Sequence, residues 1–182
     1  WAGDEWKTKG PRPGTNLYTS SVLQLDPDTG KLKSYHQVLP HDAWDFDPAQ
    51  GELMMIDRDG KKLVVHPSKS GFVFVFDRAT GKPIRINAYA KQNWADKIDP
   101  VTGRPMESDI SKRLRAGEKV ELEPRWTGGK NWMPMAFNPA TERLYFSMLE
   151  EVAIYQLNKD MPVYKPGERY VGVTNSTKDR DP

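Results

Sequence analysis

Apolar and polar positions along this chain alternate in short bursts rather than in long helical stripes. The bursts include Ser21-Val22-Leu23-Gln24-Leu25, Leu53-Met54-Met55-Ile56, Lys62-Leu63-Val64-Val65-His66 and Gly71-Phe72-Val73-Phe74-Val75-Phe76. Two more, Arg143-Leu144-Tyr145-Phe146-Ser147 and Val152-Ala153-Ile154-Tyr155-Gln156, lie near the far end. Runs of β-branched and aromatic residues bounded by Gly, Pro, Asp and Asn predict β-strands. Only Ile110-Ser111-Lys112-Arg113-Leu114 carries a helical spacing. The stretch from about 88 to 125 breaks the strand pattern and reads as an excursion between repeats. The tail from Pro162 is rich in Pro, Gly and charge and reads as irregular.

The turns between the bursts share one chemistry. Asp26-Pro27-Asp28-Thr29-Gly30-Lys31 and Asp77-Arg78-Ala79-Thr80-Gly81-Lys82 are near copies. Asp99-Pro100-Val101-Thr102-Gly103-Arg104 and Asn138-Pro139-Ala140-Thr141-Glu142-Arg143 are looser ones. Asp or Asn caps such a turn, Pro presets φ, and Gly takes the left-handed position. The two best copies are offset by 77 − 26 = 51 residues. A repeat of about 40–50 residues, each unit holding several short antiparallel strands, predicts a β-propeller. The fold class is therefore all-β, with the whole of 1–182 as one partial propeller domain. At about 50 residues per blade the chain supplies three to four blades. An arc that small exposes strand edges, so an internal fragment of a larger ring is expected.

Composition narrows the function. The 182 residues carry a net charge of +2, with basic and acidic residues interspersed. That gives no footprint for nucleic acid. Lys112-Arg113-Leu114-Arg115, the densest basic cluster, reads as a solvated face. No apolar run approaches the roughly 18 residues of a membrane span. There are no cysteines, so redox compartment is not legible here.

The densest candidate chemistry is His41-Asp42-Ala43-Trp44-Asp45-Phe46-Asp47. Read as extended chain, it places Asp45 and Asp47 on one face, with His41 and Ala43 behind them, and Trp44 and Phe46 opposite. Adjacent carboxylates repel. A metal ion, an Arg or Lys, or a shared proton must settle them. The same residues also fit a solvated turn ending at Asp47-Pro48.

Beyond the Asp26 and Asp77 turns, several segments resemble the quinoprotein alcohol dehydrogenases, the methanol and ethanol dehydrogenase type. They are Arg12-Pro13-Gly14-Thr15-Asn16-Leu17-Tyr18, Leu39-Pro40-His41-Asp42-Ala43-Trp44-Asp45-Phe46-Asp47, Val65-His66-Pro67-Ser68-Lys69-Ser70-Gly71-Phe72 and Gly128-Gly129-Lys130-Asn131-Trp132-Met133-Pro134. They follow in the family's order, from about Trp1 to Leu149. The chain departs from the pattern at Thr15, where Asp is usual. It departs again at Ser34 and Arg85, where the family's repeat carries a Trp that docks adjacent blades.

The resemblance implies an eight-bladed propeller that binds pyrroloquinoline quinone (PQQ) on its axis and oxidises a primary alcohol to an aldehyde. It implies that Asp45 is the catalytic carboxylate and a metal ligand. Asp47 stands where lanthanide-dependent members carry an additional Asp, so a lanthanide is the expected ion, with calcium the alternative. A trivalent ion is better neutralised by an extra carboxylate. Lys69 matches the residue that contacts the quinone oxygen, and Asn131 and Trp132 match a cofactor-contacting segment.

The same resemblance implies a cytochrome c acceptor and a periplasmic location. It places a Glu and an Asn ligand, a vicinal disulfide and a stacking Trp ahead of Trp1. His41 is expected in a structural hydrogen bond, Met133 and Met135 in the core or pocket wall, and His36 and His66 outside the chemistry. Two other readings stay open. One is a non-catalytic envelope propeller that binds a protein partner. The other is a calcium-dependent polyol or sugar dehydrogenase. Homo-oligomerisation is open as well.

Overall fold

The computed structural model describes residues 13–48, 53–99, 101–160, 163–168 and 170–178. Arg12, Pro100 and the opening Trp1 to Trp6 lie outside the described residues. The first hairpin pairs β1 (Ser21–Leu25) with β2 (Leu32–Gln37). Next comes a four-stranded antiparallel meander of β3 (Met54–Arg58), β4 (Lys61–Pro67), β5 (Phe72–Asp77) and β6 (Pro83–Ala88). A second hairpin joins β7 (Ala95–Ile98) to β8 (Pro105–Glu107), and helix α1 (Asp109–Arg115) follows. β9 (Val120–Leu122) lies beside β12 (Val152–Leu157), which also pairs with β13 (Val173–Lys178). Between them β10 (Met135–Asn138) and β11 (Arg143–Phe146) form a hairpin.

The β3–β6 meander is a propeller blade: four sequential strands, each paired to the last. Its strands turn sharply at Asp59-Gly60, both with positive φ (50° and 72°), the arrangement that matches strand twist in a two-residue hairpin. Along β5, Phe72, Phe74 and Phe76 are buried while Val73 and Val75 are half-buried. That period of two delivers three phenylalanines to one face of the sheet. The β1–β2 hairpin repeats the β5–β6 hairpin. Both have a register slip just before the turn, at Gln24/Leu25 and at Val75/Phe76.

The repeated turns are the same object at atomic detail. Asp26 Oδ1 accepts from the Thr29 amide and hydroxyl, each at 2.9 Å. Asp77 Oδ1 accepts from the Thr80 amide at 2.8 Å and its hydroxyl at 2.9 Å. Asp99 Oδ1 accepts from the Thr102 amide at 2.7 Å. Gly30, Gly81 and Gly103 hold φ of 68°, 69° and 66°. In the fourth turn Asn138 caps, and Glu142 takes the left-handed position at φ 53°. The Lys33 ammonium holds the Asp26 carboxyl below its ordinary range, and the Thr80 and Thr102 amides do so for Asp77 and Asp99.

These turns also dock one hairpin on the next. A Cβ on Gly81 would strike the Ser34 hydroxyl and lie 3.0 Å from Ser34 Cβ. Gln24 Nε2 donates to the Arg78 carbonyl at 3.0 Å and Ser34 Oγ to Gln24 Oε1 at 2.8 Å. A Cβ on Gly103 would lie 2.5 Å from His36 Cε1 and 3.3 Å from Pro83 Cγ. Ser34 thus abuts Gly81 and orients Gln24, whose amide makes the hydrogen bond to the next hairpin.

Residues 88–125 are more ordered than their sequence suggests. They hold the β7–β8 hairpin, α1 and β9. Ser108 caps α1, its hydroxyl accepting from the Ser111 amide at 3.2 Å, and Leu114 is the helix's buried apolar residue. Lys112, Arg113 and Arg115 are exposed, as a solvated face requires. The tail differs too. Val173-Thr174-Asn175-Ser176-Thr177-Lys178 forms β13, because its β-branched residues pair in register along the edge of β12. The core gathers Val38, Leu39, Trp44 and Phe46 with the β5 phenylalanines, Trp94, Leu122 and Tyr155.

Candidate active site

The acidic segment is not a strand. It is a loop after β2, with His41 (φ 48°) and Asp45 (φ 67°) in the left-handed region. The local cause is an Asx turn in which the Trp44 amide donates to Asp42 Oδ1 at 2.9 Å. The expected sidedness survives without the strand. Trp44 and Phe46 are buried, Asp45 is exposed and Asp47 is half-buried. Trp44 meets Tyr155 edge-on at 6.3 Å, and Phe46 meets Trp94 at 5.8 Å. Two aromatic anchors therefore fix the backbone on either side of Asp45. A non-glycine residue at positive φ stores strain that surrounding packing must hold, a condition common where a side chain is aimed at a task.

The loop is tied to the segment before β1. His41 donates its amide to the Thr15 carbonyl at 3.0 Å, and its Nδ1 lies 2.9 Å from the Gly14 carbonyl oxygen. Gln37 Nε2 donates to the Thr15 and Thr19 carbonyls at 2.7 and 3.1 Å. Two segments recognised separately in the sequence are thus one hydrogen-bonded unit. His41 is structural here, as expected.

Lys69 occupies the tip of the β4–β5 connection. A lysine in a Pro-Ser-Lys-Ser-Gly turn would ordinarily be solvated, yet Lys69 is only 7% exposed. Its Nζ donates to Asp47 Oδ1 at 2.8 Å. Among the described residues, Lys69 thus seats a cation on this acidic loop. Three elements cover the hairpin tip by taking its carbonyls in turn. Tyr89 OH donates to the Ser68 carbonyl, Gly129 N to that of Lys69 and Trp94 Nε1 to that of Ser70, at 2.7, 2.8 and 2.7 Å.

Gly129 brings in the segment holding Asn131 and Trp132. Asn131 braces its own loop: Nδ2 donates to the Thr127 carbonyl at 2.8 Å and Oδ1 accepts from the Trp132 amide at 2.8 Å. An amide retains one more donor and one more acceptor site beyond these two bonds. Thr127 is held in turn by Glu151, which also pairs with Arg125 at 2.8 Å. Trp132 is 68% exposed and Lys130 is buried, its Nζ donating to the Asn131 carbonyl at 2.9 Å. Met133 and Met135 are half-buried.

Asp42 was not singled out in the sequence, and it belongs to this cluster. Burial pushes its carboxyl up to about 6, Asp45 and Asp47 add repulsion, and the Trp44 amide and Lys69 oppose the rise. The readable signal was the triple Asp42, Asp45, Asp47. Extended-strand geometry hid it by sending Asp42 to the opposite face. Among the described residues, no three His, Cys, Asp or Glu groups lie together as a metal site. Asp42, Asp45 and Asp47 gather hard oxygen donors on one loop beside Lys69, which fits a hard cation rather than a soft one. No helix among the described residues is long and apolar enough to cross a membrane.

Residues 4–88 match the model of the PQQ-linked glucose/ethanol/alcohol dehydrogenase β-propeller domain. The chain is 37% identical over 181 residues to the quinohemoprotein alcohol dehydrogenase ADH IIB of Pseudomonas putida, covering 96% of this chain and 26% of that protein. Over nearly its whole length the chain is similar to the quinoprotein alcohol dehydrogenases. A quinoprotein ethanol dehydrogenase of Pseudomonas putida is 35% identical over 182 residues, with 92% of this chain and 28% of that protein covered. Among solved structures, a europium-containing methanol dehydrogenase superposes with a TM-score of 0.81 at 30% identity, covering 92% of this chain and 29% of its own. The chain thus spans about a quarter of the length of the curated relatives it matches, and its blades are part of a quinoprotein β-propeller.

Proposed function

We propose that the intact protein oxidises a small primary alcohol to its aldehyde, with PQQ as cofactor and a lanthanide as its preferred ion. When bound, PQQ accepts the hydride and the ion polarises its carbonyl. Asp45 takes the alcohol's hydroxyl proton as general base, its carboxylate exposed and its backbone clamped by Trp44 and Phe46. Lys69 places an ammonium beside the same loop and stabilises negative charge developing on an oxygen there. Asp45 and Asp47 would hold the ion. Asn131 and Trp132 would contact the cofactor.

The observation that carries this reading is the juxtaposition of Asp45, Asp47 and the buried Lys69 around one loop of a propeller in this family. The kinship with a europium-containing methanol dehydrogenase supports the lanthanide. A cytochrome c acceptor and a periplasmic location belong to the same reading.

The test is dye-linked alcohol oxidation by the intact protein, reconstituted with PQQ and either a lanthanide or calcium. Asp45→Asn is expected to retain the quinone's near-ultraviolet absorbance and lose turnover by at least about a hundredfold. Asp47→Ala is expected to lose lanthanide-supported turnover and keep any supported by calcium. Full lanthanide activity in Asp47→Ala would refute the metal assignment. No quinone uptake and no alcohol oxidation by the unmodified protein would refute the enzyme.

A further inference from the structure

Gly128 makes the closest backbone approach in the site, and nothing in the chemistry above uses it. A Cβ on Gly128 would lie 2.6 Å from Lys69 Cβ and 2.7 Å from both its Cα and its carbonyl oxygen. Two of those three atoms are backbone, so no side-chain rotation could make room. Gly128 also has φ +78°. Gly129, next to it, would bring a Cβ to 3.0 Å from Ala90 Cβ and 3.3 Å from Gly71 Cα. The pair is a bare stretch of backbone pressed against the tip of the β4–β5 hairpin.

Hydrogen bonds lock that contact from several sides. Gly128 N donates to the Arg125 carbonyl at 2.7 Å, Gly129 N to Lys69 O at 2.8 Å and Leu149 N to Gly129 O at 2.8 Å. Beyond them, Lys130 Nζ and Asn131 Nδ2 fasten the rest of the loop to itself. Lys69 thus has its ammonium on Asp47 and its backbone on the two glycines. Asn131 follows Gly128 by three residues on the same locked loop.

We infer that Gly128 is a positioning residue: its missing side chain seats the 125–132 loop on Lys69, so that one contact sets both the Lys69 ammonium against Asp47 and Asn131 beside the cofactor cavity. The cofactor half of this inference rests on the function proposed above. The Lys69 half does not. A methyl group at position 128 must push the loop off the hairpin tip. Lys69 then loses its cover, and Asn131 moves with the loop. Gly117 is the natural control. It has φ +88° with nothing within 4 Å of its would-be Cβ, so Gly117→Ala carries the backbone strain without the clash.

The experiment compares the intact apoprotein with its Gly128→Ala and Gly117→Ala variants. Reductive methylation with peptide mass mapping reads the exposure of Lys69. A PQQ titration followed by quinone absorbance reads the cavity. In Gly128→Ala, Lys69 is expected to be methylated about fivefold faster, reflecting local opening. PQQ is expected to bind roughly tenfold more weakly, since small misplacements at a site have large effects. Gly117→Ala is expected to match the unmodified protein in both readouts.

Unchanged Lys69 labelling in folded Gly128→Ala would overturn the inference, as would equal changes in the Gly117 control. Faster labelling with unaltered PQQ affinity would overturn its cofactor half. If Gly128→Ala does not fold, Gly129→Ala decides by the same labelling, with a smaller acceleration expected and none overturning the inference. If the unmodified protein takes up no PQQ, the proposed function falls, while the labelling still decides the role of Gly128 at Lys69.

Discussion

Acidification should strip stability from this propeller through His66. The ring is 1% exposed on β4, and neither nitrogen meets a hydrogen-bond partner among the described residues. Burial, with the Lys130 ammonium adding to it, lowers its pKa from the ordinary 6.5 to about 4. Between those values the unfolded chain binds a proton that the folded chain refuses. Folding stability therefore rises with pH across that window. The contribution is fully present above 6.5 and is lost as pH falls to about 4. A shift of 6.5 − 4 = 2.5 units, at 1.36 kcal/mol per unit, amounts to about 3 kcal/mol.

The assay is urea unfolding of the cofactor-free intact protein at a series of pH values, alongside His66→Gln, whose side chain does not titrate. The wild-type advantage over the variant is expected to shrink by about 3 kcal/mol between neutral pH and pH 4. An advantage that stays constant across that range would refute the argument.

Two further outcomes follow from packing. Gly30→Ala and Gly81→Ala impose the same backbone conformation, φ 68° and 69°, but only the second meets Ser34. Thermal unfolding should show about 1–2 kcal/mol lost in the first from strain and clearly more in the second; equal losses would mean that the blade contact carries no stability. Phe46→Ala, from a fully buried ring against Trp94, should cost about 3–5 kcal/mol of unfolding free energy and reduce turnover by loosening Asp45. Stability loss without any change in turnover would separate the core from the site.

The sequence made the repeat legible because its turns use a local code. Asp, Thr and Gly at fixed offsets satisfy each other's hydrogen bonds whatever lies around them. β7, β8 and β9 escaped notice because three- and four-residue strands carry too little alternation to register, and β9 also takes its partner, β12, from far along the chain. The acidic loop was legible in composition and in which residues face inward, but not in path. Positive φ at His41 and Asp45 is imposed by Thr15, Gly14 and the core aromatics rather than by neighbours in sequence. Lys69 was legible only by resemblance. Its burial depends on Tyr89, Trp94 and Gly129, which lie 20 to 60 positions downstream. Asp42 shows the opposite failure, since a simple periodicity placed it on the wrong side.

Two of the repeated turns also lean in one direction. The 77–82 turn rests on Gln24 and Ser34, and the 99–104 turn rests on His36 and Pro83. Both contacts reach back to residues already synthesised. A nascent hairpin leaving the ribosome therefore finds its template in place, and neither docking contact waits for sequence still to be made. Assembly by accretion, each hairpin seated on earlier ones, satisfies both contacts. The spacing is set by a rule that an added unit inherits, which also gives duplication of a whole unit a ready place to dock.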